Sequence, residues 1–228
     1  MAALHTNSPP AGGPVAGRSW LPMAPLNLRV NPFGEWARED RIAMAQLDAA
    51  PWLGSLQHDR HALQFVGACG RGKSTHLLAL ARLLAFAPHG IPSHYCYLPP
   101  RGPCPPFPAA GILLIDEAQR LPWLRRRRLL RQGRPLVLGT HRDGRGPLQR
   151  AGYTVETIDL DQLKPPEQLA AILNRRIEHA RLGDGPLPLI TPAEAARLQI
   201  WFGSNIRAAE HYLYHQFQTR AGASGGNL

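Results

Sequence analysis

Apolar and polar positions along the chain fall into two registers. Five short runs rich in apolar, β-branched or aromatic residues stand at His61–Gly67 (HALQFVG), Ser93–Leu98 (SHYCYL), Gly111–Asp116 (GILLID), Pro135–Gly139 (PLVLG) and Thr154–Leu160 (TVETIDL). Their length and composition are those of buried strands. Between most of them lie stretches with apolar residues at helical spacing, notably Lys73–Ala87 and about Pro122–Gln132. Strand–helix alternation of this kind predicts an α/β fold, a five-stranded parallel sheet with helices on its faces. One crossover is different. Six of the ten residues from Pro99 to Pro108 are proline, so that connection is an extended strap rather than a helix.

After Leu160 the pattern turns wholly helical. Leu169, Ile172, Leu173 and Ile177 recur near helical spacing within Pro165–Leu182. Thr191, with Pro192 next and Glu194 three residues on, reads as a capping box opening a second helix. A third is expected from about Asn205 to Gln218. The expected organisation is a disordered leader over 1–25, a nucleotide-binding core over 26–160, a small helical lid over 161–219 and a flexible tail over 220–228. No internal repeat is present.

Composition narrows the class. Of 228 residues 44% are hydrophobic and 18% charged, below the roughly 25% charged of an average soluble chain, so a real core forms and wholesale disorder is excluded. No run approaches the roughly 18 apolar residues of a membrane span, and the N-terminus lacks a secretory pattern. Cys69, Cys96 and Cys104 are odd in number and lack metal-ligand spacing. These features predict a cytoplasmic protein with no membrane contact. Of the 26 basic residues 24 are Arg, which singles out Lys73 against Lys164 as the only other lysine. The net charge of +10 is concentrated: Arg120–Arg150 holds ten Arg and one acid, Asp143, giving 10 − 1 = +9.

The strongest chemical signal is Gly67-Ala68-Cys69-Gly70-Arg71-Gly72-Lys73-Ser74, followed by Thr75. It fits G-x-x-x-x-G-K-[ST] between an apolar strand and an amphipathic helix, the context in which backbone N–H groups cradle phosphates. The helix N-terminus adds positive potential, Lys73 would reach the β- and γ-phosphates, and the Ser74 hydroxyl would ligate Mg²⁺. A second signal is the run ending in Asp116-Glu117, which sets a carboxylate at the ligand-binding edge of a parallel sheet. Asp116 is the candidate Mg²⁺ ligand and Glu117 the candidate to polarise an attacking water, a helix-start acid being the alternative. Thr140, with His141 as runner-up, ends the next strand and would lie near the γ-phosphate; a strand-capping turn is the alternative. Arg207 stands in the first turn of the last helix, where a cation opposes the helix dipole and calls for an anion, or for Glu210 three residues on.

These pieces, in this order, resemble the AAA+ ATPases. The Asp116-Glu117-Ala118-Gln119 form resembles, more narrowly, the DEAQ-type group containing the transposition-helper and general-secretion-pathway ATPases. In that group an NPF-like stretch precedes the core, here Asn31-Pro32-Phe33-Gly34, and a Gln-Arg pair follows the sensor strand, here Gln149-Arg150. The resemblance covers about Leu26 to Gln218. It implies ATP and Mg²⁺ as ligands, Thr140 as first sensor and Arg207 as second. It further implies Arg150 as an arginine finger for a neighbouring subunit, hence a homo-oligomer; the alternative for Arg150 is one more member of the basic segment. The proline strap replaces the usual second helix, and no winged-helix or helix-turn-helix domain fits after Gln218.

The basic helix Trp123-Leu-Arg-Arg-Arg-Arg-Leu-Leu-Arg131 then reads as a tracker of phosphate backbones, with Leu124, Leu129 and Leu130 as its apolar seam; a solvated or subunit-facing helix is the alternative. The expected function is Mg²⁺-dependent ATP hydrolysis that drives or gates a DNA transaction. The expected client is DNA, held through the Arg120–Arg150 segment, or a recombinase or other protein. The rivals are a slow nucleotide-gated protein-interaction switch that never touches DNA and a small-molecule phosphotransferase.

Overall fold

A computed structural model describes residues 21–225 except 46, 48, 88, 89, 109 and 110. Most of the expected leader therefore lies outside the described residues. Five strands form one parallel sheet: β1 (His61–Val66), β2 (Ser93–Tyr97), β3 (Ile112–Asp116), β4 (Leu136–Thr140) and β5 (Thr154–Asp159), in the order β2-β3-β4-β1-β5. Each lies within one residue of its expected bounds. The helices are α1 (Arg38–Ala43), α2 (Ala50–Leu53), α3 (Lys73–Phe86), α4 (Trp123–Arg131), α5 (Arg145–Arg150), α6 (Pro166–His179), α7 (Pro192–Phe202) and α8 (Ile206–Gly225).

The inner strands β1, β3 and β4 are almost wholly buried because the sheet is covered on both sides, while the edge strands β2 and β5 keep polar, partly exposed residues. Leu63 and Phe65 of β1 point to the face packed by Leu77, Leu80 and Leu84 of α3. Ala62, one residue away, points to the opposite face, with Leu113, Ile115 and Leu136 against Leu129 of α4 and Leu148 of α5. The strap from Pro99 to Pro108 is non-helical and crosses that second face. Arg125 fastens it by donating to the carbonyl oxygens of Cys104 (2.9 Å) and Pro105 (3.2 Å), and buried Arg134 donates to that of Pro108.

The three C-terminal helices build a separate core from Leu169, Leu173, Ile177, Leu198, Leu213 and Phe217. The Thr191 capping box is present. Its hydroxyl accepts the Glu194 N–H (3.2 Å), and the Glu194 carboxylate accepts the Thr191 N–H (2.8 Å), bonds that hold the carboxyl below the usual carboxylate range.

Four expectations are corrected. Residues 23–36 were grouped with the leader and the core, yet Met23 (2% exposed), Leu28 and Phe33 are buried in the helical lid. The Asn31 amide donates to the Tyr214 carbonyl (2.9 Å) and the Phe33 ring meets Phe217 edge-on at 5.1 Å. The last helix runs to Gly225 rather than Gln218, carrying Ala221 into that core instead of a flexible tail. Short α1 and α2 were not anticipated, since six- and four-residue helices take their stability from packing rather than propensity. Leu124 is 69% exposed, so the seam of α4 is Leu129 with Leu130. Among the described residues, no helix is long and apolar enough to cross a membrane.

Phe33→Ala removes a ring buried between the N-terminal segment and α8. It should destabilise the protein by about 3–5 kcal/mol, read as a lowered midpoint in urea unfolding.

A candidate nucleotide site at the carboxyl edge of the sheet

Because all five strands are parallel, their carboxyl ends and the loops that follow share one edge, where ligands of open α/β sheets bind. From β1 the chain turns through Gly67–Gly72 into α3. Gly70 (φ +82°) and Gly72 (φ +89°) occupy left-handed conformations that other residues rarely adopt. These turns bend the loop around the α3 N-terminus, where unpaired N–H groups and the helix dipole favour an anion. Ser74 and Thr75 follow in the first turn of α3. Lys73 is buried, and its ammonium donates to the carbonyl oxygens of Gly67 (2.7 Å) and Ala68 (2.8 Å). Burial pulls its pKa down; Glu117, Cys69, Asp116 and Asp161 act in the opposite sense.

The acid pair ends β3. Asp116 is 1% exposed; its carboxylate accepts the Tyr95 hydroxyl (3.0 Å) and the Glu117 N–H (3.0 Å). Between β1 and β3 lies β4, whose Gly139 separates the two motifs. A Cβ built on Gly139 would stand 2.7 Å from Leu77 Cδ1, 3.0 Å from Asp116 Oδ1 and 3.6 Å from Lys73 Cβ. The missing side chain leaves the room in which Leu77, the Asp116 carboxylate and the stem of Lys73 come together. The buried Asp116 carboxylate is a hard oxygen donor of the kind Mg²⁺ prefers, and Ser74, in the first turn of α3, is a second residue of that kind. Among the described residues, no three His, Cys, Asp or Glu side chains form an all-protein metal cluster.

Glu117 sits at φ +61°, a left-handed conformation uncommon outside glycine and costly enough to point to function. Its carboxylate meets Arg120 (2.9 Å), the Gln119 amide (2.7 Å) and the His141 ring (3.4 Å). Thr140 is buried, and its hydroxyl donates to the Arg142 carbonyl (3.0 Å) while accepting the Arg142 N–H (3.2 Å). The pair thus divides its contacts: Thr140 closes its own turn and His141 touches Glu117.

The lid reaches the same edge. A Cβ on Gly70 would meet Asn205 Oδ1 at 3.0 Å and Arg207 Cβ at 3.1 Å, so the start of α8 rests on the phosphate loop. The Asn205 side chain accepts the Ala208 N–H (3.2 Å) and so caps α8. Glu210 pairs with Arg176 (2.8 Å) instead of Arg207, and Arg207 has no carboxylate partner among the described residues. Arg150 is not brought here. It ends α5, which leads back to the start of β5, at the far edge of the sheet.

Five residues contribute beyond those the sequence singles out. Buried Gln64 donates to Asp143 Oδ1 (2.5 Å) and Thr157 Oγ1 (2.7 Å) and accepts the Gly144 N–H (2.9 Å), fixing the loop beyond His141. Asp143 is held below the usual carboxylate range first by the Arg145 N–H and then by Gln64. Asp161 accepts the Ala68 N–H (3.1 Å) and pairs with Arg71 (2.9 Å), tying the joint between core and lid to the loop. With Gly139 and Tyr95 these complete the set. A glutamine inside HALQFV and a glycine inside PLVLG are legible clues; Tyr95 and Asp161 act across long sequence separations and leave none.

No protein-family model matches this sequence, nor does any curated protein. Similar solved structures include a replication initiator DnaA bound to AMPPCP and single-stranded DNA (16% identity, TM-score 0.44, 79% of this chain and 60% of that one). A DNA replication initiation factor matches at 15% identity, TM-score 0.47, over 77% of this chain and 60% of its own. Drosophila ORC bound to DNA matches at 14% identity, TM-score 0.49, over 98% of this chain and 66% of its own. The chain thus spans less than two thirds of each structure's length.

Gly139→Ala pushes a methyl group into Leu77 and Asp116. We expect a loss of about 1–3 kcal/mol in stability together with weakened Mg²⁺-nucleotide binding by titration. Gly54→Ala, with nothing within 4 Å of its Cβ, should change neither.

Proposed function

We propose that the chain is a Mg²⁺-dependent ATPase of the AAA+ type. The observation that carries this reading is the meeting of Lys73 and Asp116 across Gly139 at the sheet edge. In this reading ATP places its phosphates in the Gly67–Thr75 loop, with Lys73 against the β- and γ-phosphates. Ser74 and Asp116 hold Mg²⁺. Glu117 orients the water that displaces the γ-phosphoryl group from the β–γ anhydride. Thr140 and His141 respond to the γ-phosphate through their shared loop, and Arg207, lacking a carboxylate partner, supplies the lid's cation. Arg150, at the far edge, acts on a second copy, which makes the working form a homo-oligomer. The narrower DEAQ-type likeness belongs to the same proposal, as does a DNA or DNA-acting protein client.

One observation favours the slower alternative, a nucleotide-gated protein-interaction switch without DNA binding. Glu117 is engaged by Arg120, Gln119 and His141, so its carboxylate must be released before it can serve a water.

Lys73→Ala should abolish ATP binding by calorimetry while the circular dichroism spectrum stays unchanged; full binding by the folded variant overturns the site. Glu117→Gln should bind Mg²⁺-ATP normally and cut turnover by roughly 10²-fold or more, the scale of a lost general base.

Turnover per subunit should rise with protein concentration. Arg150→Ala should remove that rise and leave ATP affinity intact, as measured by phosphate release across a dilution series.

A further inference from the structure

The basic segment is divided by the fold. Arg120 binds Glu117, Arg125 and Arg134 pin the strap, and Arg145 lies beside Asp143. Of the other six, Arg126, Arg127, Arg131 and Arg150 gather in a groove of about 460 Å³ between α4 and α5, and Arg128 and Arg142 lie outside it. Trp123, Arg126, Arg127 and Arg131 line one wall at i, i+3, i+4 and i+8, a single face of α4. Arg150 faces them from α5, and Arg60 closes the end. Arg60 holds φ +55° and donates to the Ala151 carbonyl (2.7 Å), so the chain accepts a strained backbone to place it there.

Five guanidinium groups thus share one groove, and no acid lines it. Among the described residues Arg126, Arg127, Arg131 and Arg150 have no carboxylate partner. The Arg127 guanidinium lies 5.9 Å from the ring centre of Trp123, which is 61% exposed. An unneutralised cationic groove with one exposed aromatic platform has the chemistry of a site for an unpaired nucleic-acid strand, in which phosphates meet arginines and a base stacks on the ring. A duplex keeps its bases stacked and would leave Trp123 unused.

We propose that the α4–α5 groove binds single-stranded nucleic acid through Arg126, Arg127, Arg131 and Arg60, with Trp123 stacking on one base. This deepens the client half of the ATPase reading and rests on it only for the link to turnover. The link is structural: α4 begins just after Glu117–Arg120 and α5 just after Thr140–Asp143, and both lead from the nucleotide edge to the groove's far end.

The test is fluorescence anisotropy of the full chain with labelled oligo-dT, oligo-U and a duplex of equal length, across a salt series. Oligo-dT or oligo-U should bind more tightly than duplex, and whichever of the two binds better identifies the natural strand. Each phosphate contacted should steepen the log–log salt dependence by about 0.7. Arg126, Arg127 and Arg131 changed together to Gln should weaken binding at least 10-fold and flatten the slope by about 2, three contacts being lost. Trp123→Ala should weaken binding about 10-fold or more with the slope unchanged, because stacking releases no counterions. Both variants should keep the wild-type circular dichroism spectrum and basal ATP turnover. Lys73→Ala should bind the strand normally without nucleotide, so a failed ATPase reading and a failed groove are separate results. Absent binding at low salt, an unchanged slope in the triple variant, duplex preferred with Trp123 silent, or self-association lost in place of strand binding would each overturn the proposal.

Discussion

The close approach of Lys73 and Asp116 across Gly139 is the constraint on which the rest of the site depends. A buried ammonium and a buried carboxylate are each costly alone. Here the first is satisfied by two loop carbonyls and the second by a tyrosine hydroxyl and a backbone N–H. Both therefore remain oriented while still presenting charge to the sheet edge. The parallel order with β4 in the centre makes this geometry available. It sets a strand with no side chain at the critical position between the phosphate loop and the acid pair.

The lid is joined to that centre at two points. Asp161 grips Ala68 and Arg71 where the core ends, and Asn205 and Arg207 rest on Gly70 where α8 begins. The loop is thereby held at the start of the C-terminal helical unit and again at the start of α8. The Asn31–Gly34 stretch packs with the same helices, since Phe33 is buried against α8. The segment preceding the core in sequence thus shares an apolar cluster with the helices that follow the core.

The positive charge has three different employments. Arg120 neutralises Glu117, Arg125 and Arg134 hold a proline-rich connection that cannot form its own backbone ladder, and Arg126, Arg127, Arg131 and Arg150 of the α4–α5 groove have no carboxylate partner among the described residues. That last group keeps its charge available to an external polyanion. A uniform charge count over the segment would treat all three alike.

The sequence by itself determined the five strands to within a residue, the glycine-rich turn into α3, the position of the acid pair at the end of β3 and the capping box. Each is written in local pattern: short apolar or β-branched runs for strands, glycines where φ is positive, and Thr191 with Glu194 for a helix start. Tertiary structure alone decided the remainder. Gly139 matters only because β4 lies between β1 and β3, and Tyr95 and Asp161 act on Asp116 and on the phosphate loop from strands and joints far away in sequence. Met23, Leu28 and Phe33 joined the lid because α8 offered them an apolar surface, and the same packing carried that helix past Gln218. Arg207 lies against the loop at Gly70, and Glu210 pairs with Arg176 of a different helix. Local periodicity records which residues need burial. Which partner buries or neutralises them is set by contacts between distant segments, and those contacts exist only once the chain has closed on itself.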